Sequence, residues 1–160
     1  MAVDLLDVPI LARREIEARI AAPLIQAFIK EFGREKTLRV VQEVIDSLAK
    51  DFGAQLASHF GGNSLEDWIT KGMEIWEKDG TCQSIILERT ETKLSFNVVQ
   101  CQVAEMAKNI GISDLGVVLF CNRDFAMYKA FNPNIKFSRT QTIMEGADHC
   151  DFRCVLEGDE

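Results

Sequence analysis

The apolar residues of this chain change period near residue 80, and that switch constrains the fold more than any other feature. Before it, apolar side chains recur at helical spacing. Ile10, Leu11, Ile16, Ile20, Leu24, Phe28 and Ile29 mark one helix over residues 8–32. Pro23 lies inside that pattern and predicts a kink or restart, because it lacks an amide donor. Leu38, Val41, Val44, Ile45, Leu48, Phe52 and Leu56 predict the buried side of a second helix over 34–60. Gly53 inside it costs about 1 kcal/mol relative to alanine. Ser64 with Asp67 three residues later spells a capping box, opening a third helix whose apolar face holds Trp68, Ile69, Ile75 and Trp76.

After residue 80 the pattern shortens. Residues 84–89 and 93–99 are rich in Ile, Leu, Phe and Val, and Thr90-Glu91-Thr92 between them suits a hairpin. Helical spacing returns over 101–110, and again from Ser113, read as a cap, to about Phe131, with Gly116 as its weak point. Asn132-Pro133-Asn134 breaks the chain before two further strands, 135–143 and 150–156. Helices, two strands, two helices and two strands predict an α+β fold: N-terminal helices plus an antiparallel sheet of about four strands from two hairpins, with helices packed on one face. The length predicts one domain over 1–160, with a helical part at about 8–80 and a ββααββ part at about 82–157.

Charge and cysteine usage narrow the function classes. A net charge of −7 without a basic cluster argues against nucleic acid as a partner. No apolar run approaches the roughly 18 residues a membrane span needs. The segment Met1 to Val8 carries two aspartates and no basic residue, unlike a signal peptide. The five cysteines, Cys82, Cys101, Cys121, Cys150 and Cys154, are an odd count that predicts reduced thiols in the cytoplasm. Dinucleotide, P-loop, serine-hydrolase and zinc-protease motifs are all absent.

The candidate chemistry falls in the last sixty residues. Cys101 stands where a strand passes into a helix, and the positive end of a helix dipole lowers a thiol's pKa; the alternative is a small buried hydrophobe. Cys121 and Asp124 share a helix face with Phe125 and Tyr128, as a pocket wall or as a buried thiol beside a surface carboxylate. Arg139 falls on the parity of Ile135, Phe137, Gln141 and Ile143, where a cation needs an anion: a ligand carboxylate, or an internal acid such as Asp124 or Asp151. His149 can act as a general base. Alternation sends His149, Asp151 and Arg153 to one face and Cys150, Phe152 and Cys154 to the other. Cys, His and Asp are also zinc ligands, but no paired ligand spacing occurs, so no metal or other cofactor is expected and zinc stands only as an alternative.

Taken in order, Cys101, Cys121 with Asp124 and Phe125, Asn132-Pro133, Arg139-Thr140-Gln141-Thr142, Gly146 and Cys150-Asp151-Phe152-Arg153 resemble the L-2-amino-thiazoline-4-carboxylic acid hydrolase family. The resemblance covers roughly residues 10–157. It implies hydrolytic opening of a thiazoline ring to N-carbamoyl-cysteine. Catalysis would fall to Cys101, Cys121, Asp124, His149 and Asp151, and binding of a small-molecule substrate to Arg139, Thr142, Tyr128 and Cys150. A small-anion sensor and a metal-dependent hydrolase are the competing readings, and a homo-oligomer is compatible with all three.

Overall fold

The computed structural model describes residues 7–158; the segment read above as lacking a signal peptide lies largely outside them. Helix α1 (Ile10–Phe32) runs unbroken through Pro23. Gly33, at φ 84°, turns the chain into α2 (Arg34–Phe60), which ends at a left-handed Gly61. The capping box forms as expected: the Asp67 amide donates to Ser64 Oγ at 3.1 Å and the Ser64 amide to Asp67 Oδ2 at 3.1 Å. It opens α3, residues 65–77, which widens into a π turn over Trp68–Gly72.

Strands β1 (Cys82–Arg89) and β2 (Lys93–Cys101) form the expected hairpin, closed by the Thr90 amide on the Lys93 carbonyl at 2.8 Å. Helix α4 (Gln102–Asn109) follows directly. A helical stretch, α5, begins at Ser113 and widens into a π turn over Val117–Cys121. It resumes as Arg123–Phe131. Ser113 is its first helical residue and Ile112 its cap, a difference of one position. Strands β3 (Ile135–Ser138) and β4 (Cys150–Leu156) complete an antiparallel sheet of order β1-β2-β4-β3.

The strand expected over 135–143 stops at Ser138. Asp151 explains why. Its carboxylate accepts the Thr140 and Gln141 amides at 2.9 and 2.8 Å and the Thr140 hydroxyl at 2.7 Å. Those amides leave the ladder, and the chain continues as a loop into a single 3₁₀ turn, Ile143–Glu145.

The sheet buries one face. Leu94, Phe96 and Val98 stand opposite Cys154, Phe152 and Cys150 in register, and all six point toward the helices. Phe96 and Phe152 stack at 4.8 Å, and Tyr128 of α5 stacks on Phe137 at 4.5 Å. Ser95, Asn97, Asp151 and Arg153 take the other face, as alternation predicts. Helix α2 crosses α5 at Gly53, where an added Cβ would stand 2.3 Å from the Met127 carbonyl oxygen. Gly53→Ala therefore must push the two helices apart. It is expected to cost about 2–3 kcal/mol by chemical denaturation, although alanine is the better helix former.

The long helices bury only part of the stripe their sequence predicts, Ile10 in α1 and Ile45, Phe52 and Leu56 in α2. In α1 the buried ridge is Ile10, Arg14, Ala18, Ala22 and Ile25, with Arg13 beside it. Ile16, Ile20, Leu24 and Phe28 are exposed instead. In α2 Thr37, Ile45, Ala49, Phe52, Gly53 and Leu56 face inward, while Val44 and Leu48 face out. Small residues permit close helix packing, so here the bulkier apolar side is the outer one. Trp68 lies inside, 3% exposed.

Candidate functional site

Between the buried sheet face, α3, α5 and the start of α1 lies a cavity of about 120 Å³. At roughly 10–15 Å³ per water-sized group, it has room for on the order of ten non-hydrogen atoms. Aromatic and aliphatic side chains, among them Trp68, Trp76 and Phe152, make most of the wall. The polar groups are few: Cys82, Cys101, Cys121, Cys150, Asp124, Arg139, Arg14, Ser84 and Tyr128.

Cys101 is the last residue of β2 and the cap of α4. Its pKa is lowered below the ordinary thiol value. A hydrogen bond from the Cys82 thiol is the largest cause, and the Val103 and Ala104 amides at the helix N-terminus add to it against the effect of burial. Cys82 lies directly across the ladder. The Gln102 amide donates to the Thr81 carbonyl at 2.8 Å, which makes Cys82 and Cys101 a non-hydrogen-bonded pair, the closer kind of cross-strand neighbour. Sharing a proton with Cys101 raises the Cys82 pKa well above that of a free thiol. Only Cys101 has the helix amides, so the negative charge belongs on Cys101.

Asp124 is buried on α5 and paired with Arg139 at 2.5 Å. Burial pushes its carboxyl up to about 6, against the pull of the adjacent guanidinium. Arg139 also donates to the Cys121 carbonyl at 3.1 Å and lies 5.3 Å and 5.5 Å from the ring centres of Phe125 and Phe152. The strand break after Ser138 thus delivers Arg139 to the cavity between two aromatic faces. Burial raises the Cys121 thiol far above its usual value and the Cys150 thiol to about 11. Cys150 Sγ accepts the Ile143 amide at 3.2 Å. Tyr128 is buried, and that burial raises its pKa.

Of the residues singled out from sequence, Cys101, Cys121, Asp124, Tyr128, Arg139 and Cys150 thus meet in one cavity. Thr142, His149 and Asp151 stand outside its lining. Thr142 caps the 3₁₀ turn through the Glu145 amide at 3.1 Å. His149 Nδ1 lies 2.5 Å from the exposed Asp148 carboxylate, and Gln141 Nε2 donates to the His149 carbonyl at 3.0 Å. Asp151 holds the 140–141 loop; burial opposes its ionisation, but the bonds from Thr140 and Gln141 outweigh that and lower its pKa. Sequence reading missed Cys82 and Arg14. Arg14 was detectable as the polar member of the Ile10–Ala18 ridge at a spacing of four, and Cys82 only through the strand register. Among the described residues, no three His, Cys, Asp or Glu side chains group as metal ligands. No helix there is long and apolar enough to cross a membrane.

Comparison with known families follows the same residues. The sequence model of L-2-amino-thiazoline-4-carboxylic acid hydrolase matches residues 13–154, nearly the whole chain and all of the cavity's chemistry. The chain belongs to this family. No curated protein matches it. In fold, this family member resembles a trafficking protein particle complex subunit 3 from Naegleria fowleri, covalently bound to palmitic acid. That similarity has a TM-score of 0.54 at 10% identity, over 92% of this chain and 96% of that one. It also resembles the phenol-responsive sensory domain of the transcription activator PoxR with phenol, at a TM-score of 0.50 and 9% identity, over 98% of this chain and 76% of that one. At such identity the likeness concerns the fold.

Proposed function

We propose that the cavity is the active site of a thiol-dependent hydrolase that opens a small cyclic amidine carboxylate, L-2-amino-thiazoline-4-carboxylate or a close relative. The observation that carries this reading is one juxtaposition: an activated Cys101 thiol facing the buried Asp124–Arg139 pair across a space of substrate size. Of the two thiols that sequence left open as nucleophile, Cys101 is favoured. Its charge is stabilised, whereas Cys121 is held protonated.

The chemistry balances with water as the only co-reactant. The substrate carboxylate pairs with Arg139, aided by Arg14, and the amidinium with Asp124. The Cys101 thiolate attacks the carbon bonded to sulfur and two nitrogens. The ring carbon–sulfur bond breaks, the ring sulfur leaves as a thiolate that takes a proton, and the enzyme holds an isothiourea. Water adds to the same carbon, Cys101 departs as thiolate, and N-carbamoyl-cysteine remains. Asp124, with a pKa near neutrality, is placed to exchange the protons of these steps.

Incubating the purified chain with the thiazoline carboxylate is expected to release one free thiol per molecule turned over, read by a thiol-reactive chromophore. An inert protein across a panel of cyclic amidine carboxylates would reject this reading. The second reading, a binding module without turnover, is favoured by the mostly apolar wall and by the ligands held in the two fold relatives. It predicts saturable ligand binding with no product.

A further inference from the structure

The outer face of α1 and α2 has no role in the cavity, yet it holds eight of the fourteen exposed large apolar side chains among the described residues. Ile20 is 64% exposed on the same helix whose Ala18 and Ala22 are 1% and 2% exposed. Leu24 and Phe28 continue that ridge on α1, and Val40, Val44 and Leu48 form its counterpart on α2. Together they line a shallow groove of about 700 Å³. We infer that this face is the interface of a homodimer, in which the α1–α2 layers of two copies of this chain pack about a twofold axis.

Three observations select a second copy as the occupant. The first is area. With Ile16 and Phe32, also exposed, the face carries eight large apolar side chains, and at roughly 100 Å² for each half-exposed one it leaves on the order of 800 Å² of apolar surface in water. That exceeds the few hundred Å² that a monomer commonly exposes, and it equals the share of one partner in a standard interface of about 1,600 Å². The second is shape. Both ridges repeat every four residues, and ridges of equal spacing fit into each other's grooves. The third is charge. Of the charged residues that are not buried, Arg34, Glu35, Lys36 and Arg39 give the first part of α2 a net +2, and Glu43, Asp46, Lys50 and Asp51 give the rest a net −2. A twofold axis near Val44 runs the two α2 helices antiparallel, which sets the basic end of each beside the acidic half of its mate. A basic membrane-binding helix would carry an excess of cations along its polar rim, and here the two parts of α2 balance to zero.

The full chain is expected to sediment at twice its own mass at roughly 50 µM. Val44→Glu, at the proposed axis, is expected to raise the dissociation constant by about 100-fold or more with the helical circular dichroism unchanged, since the side chain makes no core. Arg39→Glu and Asp51→Arg are each expected to weaken the dimer, and the two together to restore it. A wild-type monomer at that concentration overturns the inference, whether or not it binds lipid vesicles. So does a dimer that Val44→Glu leaves intact.

Discussion

Cys101→Ser is expected to lower turnover of the thiazoline by roughly 10³-fold or more while leaving the thermal midpoint nearly unchanged. A hydroxyl is a far weaker nucleophile than a thiolate unless a base takes its proton. His149 is turned toward Asp148 and Gln141 outside the cavity, and the Asp124 carboxylate, with a pKa of about 6, is too weak a base to ionise a hydroxyl. The fold should tolerate the change, because the Cys82 thiol and the helix amides can donate to a hydroxyl as they do to a thiol. Two companion variants separate activation from presence. Cys82→Ala removes the strongest donor to Cys101, so the acid limb of the kcat/KM profile should move to higher pH, with Cys101 alkylated more slowly at pH 7. Cys121→Ser should keep most of the activity, since its thiol stays protonated at working pH. If Cys101→Ser retains more than about a tenth of wild-type turnover, water rather than a thiolate makes the attack.

Sequence periodicity carried the fold class, and six of the nine residues singled out as candidates line the cavity. Alternation placed Cys150, Phe152 and Cys154 on one face and Asp151 on the other, and it held because the sheet has one dry side. It failed at 139–143, where a side chain that alternation cannot see, Asp151, captures the loop amides and ends the strand. The burial of α1, and of part of α2, departs from the sequence pattern for a different reason. Counting bulky apolar residues assumes that the larger ones face the core, yet this core admits Ala18, Ala22, Ala49 and Gly53 at its helix crossings and leaves Ile20 and Leu24 outside. The resulting apolar surface is the face inferred above to pack against a second copy. Cys82 escaped because its meaning is relational. A thiol in an apolar strand becomes chemical only when the ladder sets it opposite Cys101.

Arg139→Ala is expected to destabilise the chain by about 3–5 kcal/mol, because it strands a carboxylate inside. Asp124 is buried beside the guanidinium, and that partner is what makes its ionised form tolerable. Without it, Asp124 folds as the neutral acid. The sign of the pH effect follows. Even in the wild type the folded pKa, about 6, lies above the ordinary carboxyl value of 3.8, so between the two the folded state holds a proton the unfolded state has lost. Stability from this group is therefore full below about 4, and it falls by up to about 1.4 kcal/mol per pH unit until the folded pKa is passed. Removing Arg139 raises that folded pKa further and extends the decline through neutrality. Denaturation midpoints should thus show the variant close to wild type at pH 4–5 and far below it at pH 8. Converting the pair to Asp124→Leu with Arg139→Met should recover most of the loss and flatten the pH profile, since two apolar side chains need no partner in that wall. It should also abolish binding of the substrate carboxylate. A single Arg139→Ala variant equally unstable at pH 5 and pH 8 would mean that packing of the guanidinium between Phe125 and Phe152, rather than its charge, is what the cavity wall requires.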